Sequence, residues 1–115
     1  MNLASIDIAR ALLVDIEIDG CLIKGVLIDG GANVNLMMEA IAIDLGMTNF
    51  EETPQILRMV DQSKIMPVGK LSNVVTRIRD QEFLLNYIIL RVLIGNPFPV
   101  LLGRPWLYQA KLKVN

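Results

Sequence analysis

The sequence predicts a mostly β domain, a closed or nearly closed barrel with one or two short helices. Three features lead there: a polarity alternation of period two near the start, several later segments rich in β-branched and long aliphatic residues, and helix signals confined to two short stretches.

Taking the elements in order, "ALLVDIEID" sets Val14, Ile16 and Ile18 against Asp15, Glu17 and Asp19, the pattern of a strand with one wet face. Asp19-Gly20 then reads as a hairpin turn, because Asp accepts local backbone hydrogen bonds and Gly tolerates positive φ. The returning strand, "CLIKGVLID", is continuously apolar from Val26 to Ile28, as expected of a segment buried on both faces. Asp29 emerges at its end. "ANVNLM" reads as another short strand, and "MEAIAIDLG" as a short helix with Gly46 as its C-cap.

Beyond this helix, "QILRMV", "KIMPVGKL", "SNVVTRIRD" and "EFLLNYIILRV" are strand-like, with turn signals at Asp61-Gln62-Ser63, Gly69 to Ser72 and Asp80-Gln81. "PVLLGRPWLYQAKLKV" holds an apolar strand, a glycine, a proline suited to the first turn of a short helix, and a last alternating segment. No linker, low-complexity tract or short-period repeat is visible, so 1–115 is expected to form one domain.

Composition narrows the functional classes. The chain has 115 residues, 53% hydrophobic, which is rich for a small domain and suggests that another subunit covers part of the surface. Net charge is −1 and the 11 Lys and Arg are scattered, so nucleic acid is not an expected partner. There is no histidine, which excludes Ser-His and Cys-His catalysis and the common zinc sites within the chain. Neither a metal nor a cofactor is implied. The longest apolar run, "YIILRVLI", is short and interrupted by Arg91, so no membrane association is expected.

Several residue groups invite a chemical reading and have a plainer one. Asp15, Glu17 and Asp19 fit no calcium loop and read as a solvated strand face. "VGKLS" and "DGGANV" fail the phosphate-loop patterns. Cys21 reads as a small packing residue, Trp106 as a core or interface anchor, and the six methionines, among them Met37, Met38, Met59 and Met66, as core fillers. Asp29-Gly30, taken alone, is a turn signal.

Context changes the reading of Asp29. "LIDGGANVNLM", "RMVDQSKIMPVGKL" and "PVLLGRPWL", in this order and spacing, resemble the catalytic loop, the flap hairpin and the apolar-apolar-Gly motif of the retropepsin-like aspartic protease domain, particularly its retrotransposon polyprotein and related plant versions. The resemblance runs from about Ala11 to about Leu112. It implies an all-β, half-barrel protomer of a homodimer, with Asp29 as the catalytic carboxylate in a loop of Gly30, Gly31 and Ala32. The flap would hold Met59, Val60, Asp61, Gln62 and Ser63, and Leu102, Gly103 and Arg104 would give structural support, Arg104 to the dimer or the loop. Leu27, Met59, Ile65, Val100 and Leu101 become candidate pocket or dyad-flanking residues. The implied activity is endopeptidase cleavage of a peptide or polyprotein, and the implied setting is the cytoplasm or an intracellular particle, within a longer polyprotein.

Two residues depart from the family pattern. Gly30 stands where the family usually has Thr or Ser, whose hydroxyl hydrogen-bonds across the dimer axis, and Pro105 where retroviral members often have Asp or Asn. Two alternatives follow: a weakened or inactive retropepsin fold serving as a dimerisation or peptide-binding module, or a β-barrel interaction domain for which Asp29-Gly30 is only a turn.

Overall fold

The computed structural model describes residues 12–54, 57–58, 64–65, 67–91 and 98–114. Strands β1 (Leu12–Ile18) and β2 (Cys21–Ile28) form the expected hairpin, closed by Asp19 and Gly20 at φ 50° and 81°. Two left-handed residues in succession match the right-handed twist of the flanking strands. Ile16 and Ile18 point inward, while Asp15 faces out and accepts a hydrogen bond from the Gly25 N–H at 3.2 Å. Cys21, at the first position after the turn, is exposed and so does not pack as expected.

After β2 the chain runs through a loop into β3 (Leu36–Met38) and helix α1 (Glu39–Asp44), where Gly46, at φ 75°, ends the helix. A two-stranded hairpin follows, β4 (Leu57–Arg58) paired with β5 (Lys64–Ile65). Long strands β6 (Gly69–Ile78) and β7 (Gln81–Leu90) come next, then β8 (Val100–Leu102) and helix α2 (Arg104–Val114). A closed barrel results, ordered β1-β2-β8-β3-β7-β6.

Three details differ from the sequence expectation. The turn expected from Gly69 to Ser72 lies inside β6; the irregularity there is a register shift between Leu71 and Val74, with Asn73 at φ 56°. A bulge bends a strand without ending it. The last segment, "AKLKV", continues α2, because once Arg104-Pro105 has started the helix nothing before Val114 breaks it. "ANVNLM" is strand only from Leu36, since Asn33 and Val34 form a bend.

The apolar side chains fall into two layers. Ile16, Ile18, Val26, Met37, Tyr87, Ile89, Val100 and Leu102 belong to one cluster; Leu27, Ala32, Leu36, Ile88, Leu90, Phe98 and Leu101 belong to the other. Adjacent residues of β2, β3, β7 and β8 thus enter opposite layers, which is why these strands read as unbroken apolar runs. Trp106 anchors α2 by an edge-to-face contact with Phe83, ring centroids 6.0 Å apart at 74°. No described helix is long and apolar enough to cross a membrane.

Candidate active site

The parallel pairing of β2 with β8, Leu27 opposite Leu101 and Ile28 opposite Leu102, carries Asp29 to the end of a buried strand pair. There the Asp29 N–H donates to the Leu102 carbonyl at 2.9 Å. The chain cannot continue as strand, because β3 must pair on the far side of β8, with Leu36 opposite Leu101 and Met37 opposite Val100. Residues 29–35 therefore arch over the end of β8.

The arch is braced from within. Ala32 N–H donates to the Asp29 carbonyl at 3.2 Å, and Gly31 N–H donates to Asp29 Oδ1 at 2.9 Å. This second bond fixes one oxygen of the half-buried carboxylate; the other has no hydrogen bond among the described residues. Ala32 is fully buried, whereas Gly30 and Gly31 form the exposed apex. A Cβ built on Gly31 would lie 3.3 Å from Asp29 Oδ1, so a side chain there would crowd the acid.

Of the support residues, Leu102 supplies the carbonyl under Asp29, and the Arg104 N–H donates to the Ala32 carbonyl at 2.9 Å. Arg104 thus supports the loop through its main chain. Gly103 lies beneath the arch, where a Cβ would collide with the Val34 carbonyl oxygen and come within 2.7 Å of the Ala32 oxygen. Only glycine lets the arch pass this close to the strand end.

Leu27, Val100 and Leu101 are fully buried within the chain, so they form the layers under the loop and not the wall of a cleft. Ile65 pairs with Leu57 in the small hairpin. The flap residues Met59, Val60, Asp61, Gln62 and Ser63 lie outside the described residues. A polar cleft of about 530 Å³ adjoins the arch, lined in part by Asn33, Val34, Thr53, Lys70 and Asn86.

Sequence reasoning missed Asn35. It is 1% exposed, accepts from the Gly103 N–H through Oδ1 at 2.9 Å and donates from Nδ2 to the Asn86 carbonyl at 3.1 Å. The available signal was a lone amide directly before the buried "LMM" strand.

The three-dimensional arrangement has counterparts among solved structures. EIAV protease, in complex with the inhibitor HBY-793, aligns with a TM-score of 0.71 over 93% of this chain and 94% of its own, at 14% identity. This chain has the retropepsin fold. The retroviral protease-like domain of Ddi1 from Leishmania major gives 0.65 over 92% and 78% of the two chains at 13% identity. A retropepsin-like aspartic protease from Rickettsia conorii gives 0.60 over 90% and 73% at 18% identity. No protein-family model and no curated protein matches the sequence. The retropepsin fold is thus recognisable in the backbone path at identities of 13–18%, and it is shared here with aspartic proteases.

Proposed function

We propose that this chain is an aspartic endopeptidase of retropepsin type, in the manner of retrotransposon polyprotein proteases, and that it acts as a homodimer on extended peptide or polyprotein substrates. The observation that carries this reading is the Asp29 carboxylate, held by the Gly31 N–H at the exposed end of a buried parallel strand pair. The chain has a single such loop, so the second carboxylate is Asp29 of another copy, related by a two-fold axis. Exposed Leu12, Leu13, Tyr108 and Leu112 are consistent with a covered face.

Two carboxylates about 3 Å apart cannot both ionise, and they share one proton. The ionised member takes a proton from water as that water attacks the scissile carbonyl, and the protonated member donates to the carbonyl oxygen; the departing amine is then protonated. Gly31 N–H holds one oxygen of each acid, leaving the other for the shared proton and the water. The substrate lies extended between the Asp29 loops and the paired β4 and β5 strands, pairing as an added strand. Its outer residues reach the polar cleft beside Asn33.

Incubating the chain with peptides across roughly pH 3 to 7 tests the proposal. Cleavage should be blocked by a statine-type inhibitor and abolished in Asp29→Asn, with dimerisation retained. A dimer that cleaves nothing over that range refutes it.

Gly30 favours a second reading, a dimerising or peptide-binding module with catalysis weakened by loss of the hydroxyl. Peptide cleavage that arises only in Gly30→Thr or Gly30→Ser would decide for it.

A further inference from the structure

The Leu102–Gly103 peptide unit is gripped on both edges. Its carbonyl, from Leu102, accepts the Asp29 N–H at 2.9 Å; its N–H, from Gly103, donates to Asn35 Oδ1 at 2.9 Å. One flat, rigid group thus connects the active-site backbone to a buried side-chain amide. An N–H that is hydrogen-bonded polarises its own carbonyl and makes it a better acceptor, so the two bonds reinforce each other.

Asn35 is itself held in place. Its Nδ2 donates to the Asn86 carbonyl at 3.1 Å, and its backbone carbonyl accepts from the Ile88 N–H at 2.9 Å. The surrounding groups fix the orientation of the amide, since oxygen must face the Gly103 N–H and nitrogen the Asn86 carbonyl. Asn86 extends the chain of bonds, its Oδ1 accepting from the N–H of Asn73 at the β6 bulge. Asn35 is 1% exposed at the inner wall of the polar cleft, so its side chain is shielded from the solvent that would otherwise compete for these partners.

We infer that Asn35 is a positioning residue for catalysis: through the Leu102–Gly103 peptide it sets the angle and height of Asp29 above the strand end. The inference rests on the endopeptidase reading of Asp29. Burying a polar amide where an apolar residue would fit gives the loop an orientation that non-directional packing does not impose.

Two variants test it. Asn35→Leu keeps most of the volume and loses both polar contacts. Asn35→Asp keeps an oxygen facing Gly103 and, at about pH 5, is uncharged when buried. Activity is expressed as kcat per site titrated with a tight-binding inhibitor, because a residue needed only for folding changes the number of sites and not the rate at each. Asn35→Leu should lower kcat per site by about thirtyfold and leave KM within about twofold, with Asn35→Asp within about threefold of the parent.

The second readout needs no catalysis. In nuclear magnetic resonance spectra the Asp29 amide of Asn35→Leu should shift and exchange at least about tenfold faster, while the amides of Tyr87 and Ile89 stay protected. An unchanged kcat per site, or an Asp29 amide with parental shift and exchange, overturns the inference. A parent that cleaves no peptide defeats the endopeptidase reading instead, and the amide measurement still decides whether Asn35 positions Asp29. If Asn35→Leu does not fold, Asn35→Ser, whose smaller side chain admits a water to the stranded groups, is judged by the same two readouts and the same expectations.

Discussion

A Cβ placed on Gly30 would meet a single neighbour, Leu107 Cδ1, at 3.7 Å, which is ordinary van der Waals contact. Gly30 also lies outside the left-handed region, so neither space nor backbone angle requires glycine there. Gly30→Ser and Gly30→Thr should therefore fold as the parent does. In the proposed dimer the new hydroxyls reach across the two-fold axis, adding two symmetry-related hydrogen bonds of about 1 kcal/mol each. Sedimentation should show a dimer Kd lowered by roughly tenfold or more. Equal Kd values would place the loop away from the axis.

Gly103 behaves in the opposite way. Any Cβ there runs into the Val34 and Ala32 carbonyl oxygens, which are main-chain atoms without a rotamer to change. Gly103→Ala must displace the arch or the start of α2, and should destabilise the fold by about 3 kcal/mol or more in urea denaturation. Glycine at positions 30 and 103 thus has different origins, and a paired comparison of Gly30→Ala with Gly103→Ala separates them: the first should be nearly neutral for folding.

These two glycines also mark what the sequence discloses. The hairpin at Asp19-Gly20, the buried run of β2 and the short helix before Gly46 were legible because each depends on neighbours along the chain. The stretch from Gly69 to Ser72 misled because a turn and a bulge use the same residue types, and only the partner strand β7 distinguishes them. Helix α2 runs further than its pattern suggests: "AKLKV" alternates, yet helix initiation upstream overrides that period. Around the loop, the position of Asp29 at the end of a buried strand was legible from the apolar run before it. Asn35 was not, since its partners Gly103 and Asn86 are 68 and 51 residues away and an isolated Asn looks like a loop residue. The full burial of Val100 and Leu101 was likewise hidden, because an apolar residue next to a motif reads equally as pocket wall or core.

The β6–β7 turn offers a stabilising change. Arg79 and Asp80 take φ values of 49° and 66° between the paired residues Ile78 and Gln81, so a two-residue turn with both centres left-handed is made here without glycine. The left-handed conformation costs L-residues about 1 kcal/mol each, less for Asp and Asn. Arg79→Asn with Asp80→Gly should raise stability by about 1 kcal/mol, seen as a higher Tm in a thermal melt. Asn73, also left-handed at φ 56°, is a control: Asn already tolerates this region better than Arg, so Asn73→Gly should give less.

Tyr87 gives the fold an alkaline limit. Its hydroxyl lies 2.8 Å from Thr76 Oγ1, and both residues are fully buried. Burial pushes the phenol well above its ordinary value of 10.0, partly offset by the Thr76 hydrogen bond. Below pH 10 both folded and unfolded chains keep the proton and the full stability is present. Above it the unfolded chain releases the proton first, so stability falls as pH rises, by about 1.4 kcal/mol per pH unit until the folded phenol also ionises. Tyr87→Phe should lose about 1 kcal/mol at neutral pH, where Thr76 Oγ1 retains only its 3.3 Å bond to the Val74 carbonyl. In exchange it should flatten the alkaline limb. Urea midpoints at about pH 8 and about pH 11 measure both effects, and a drop of equal size in parent and variant would rule out Tyr87 as its source.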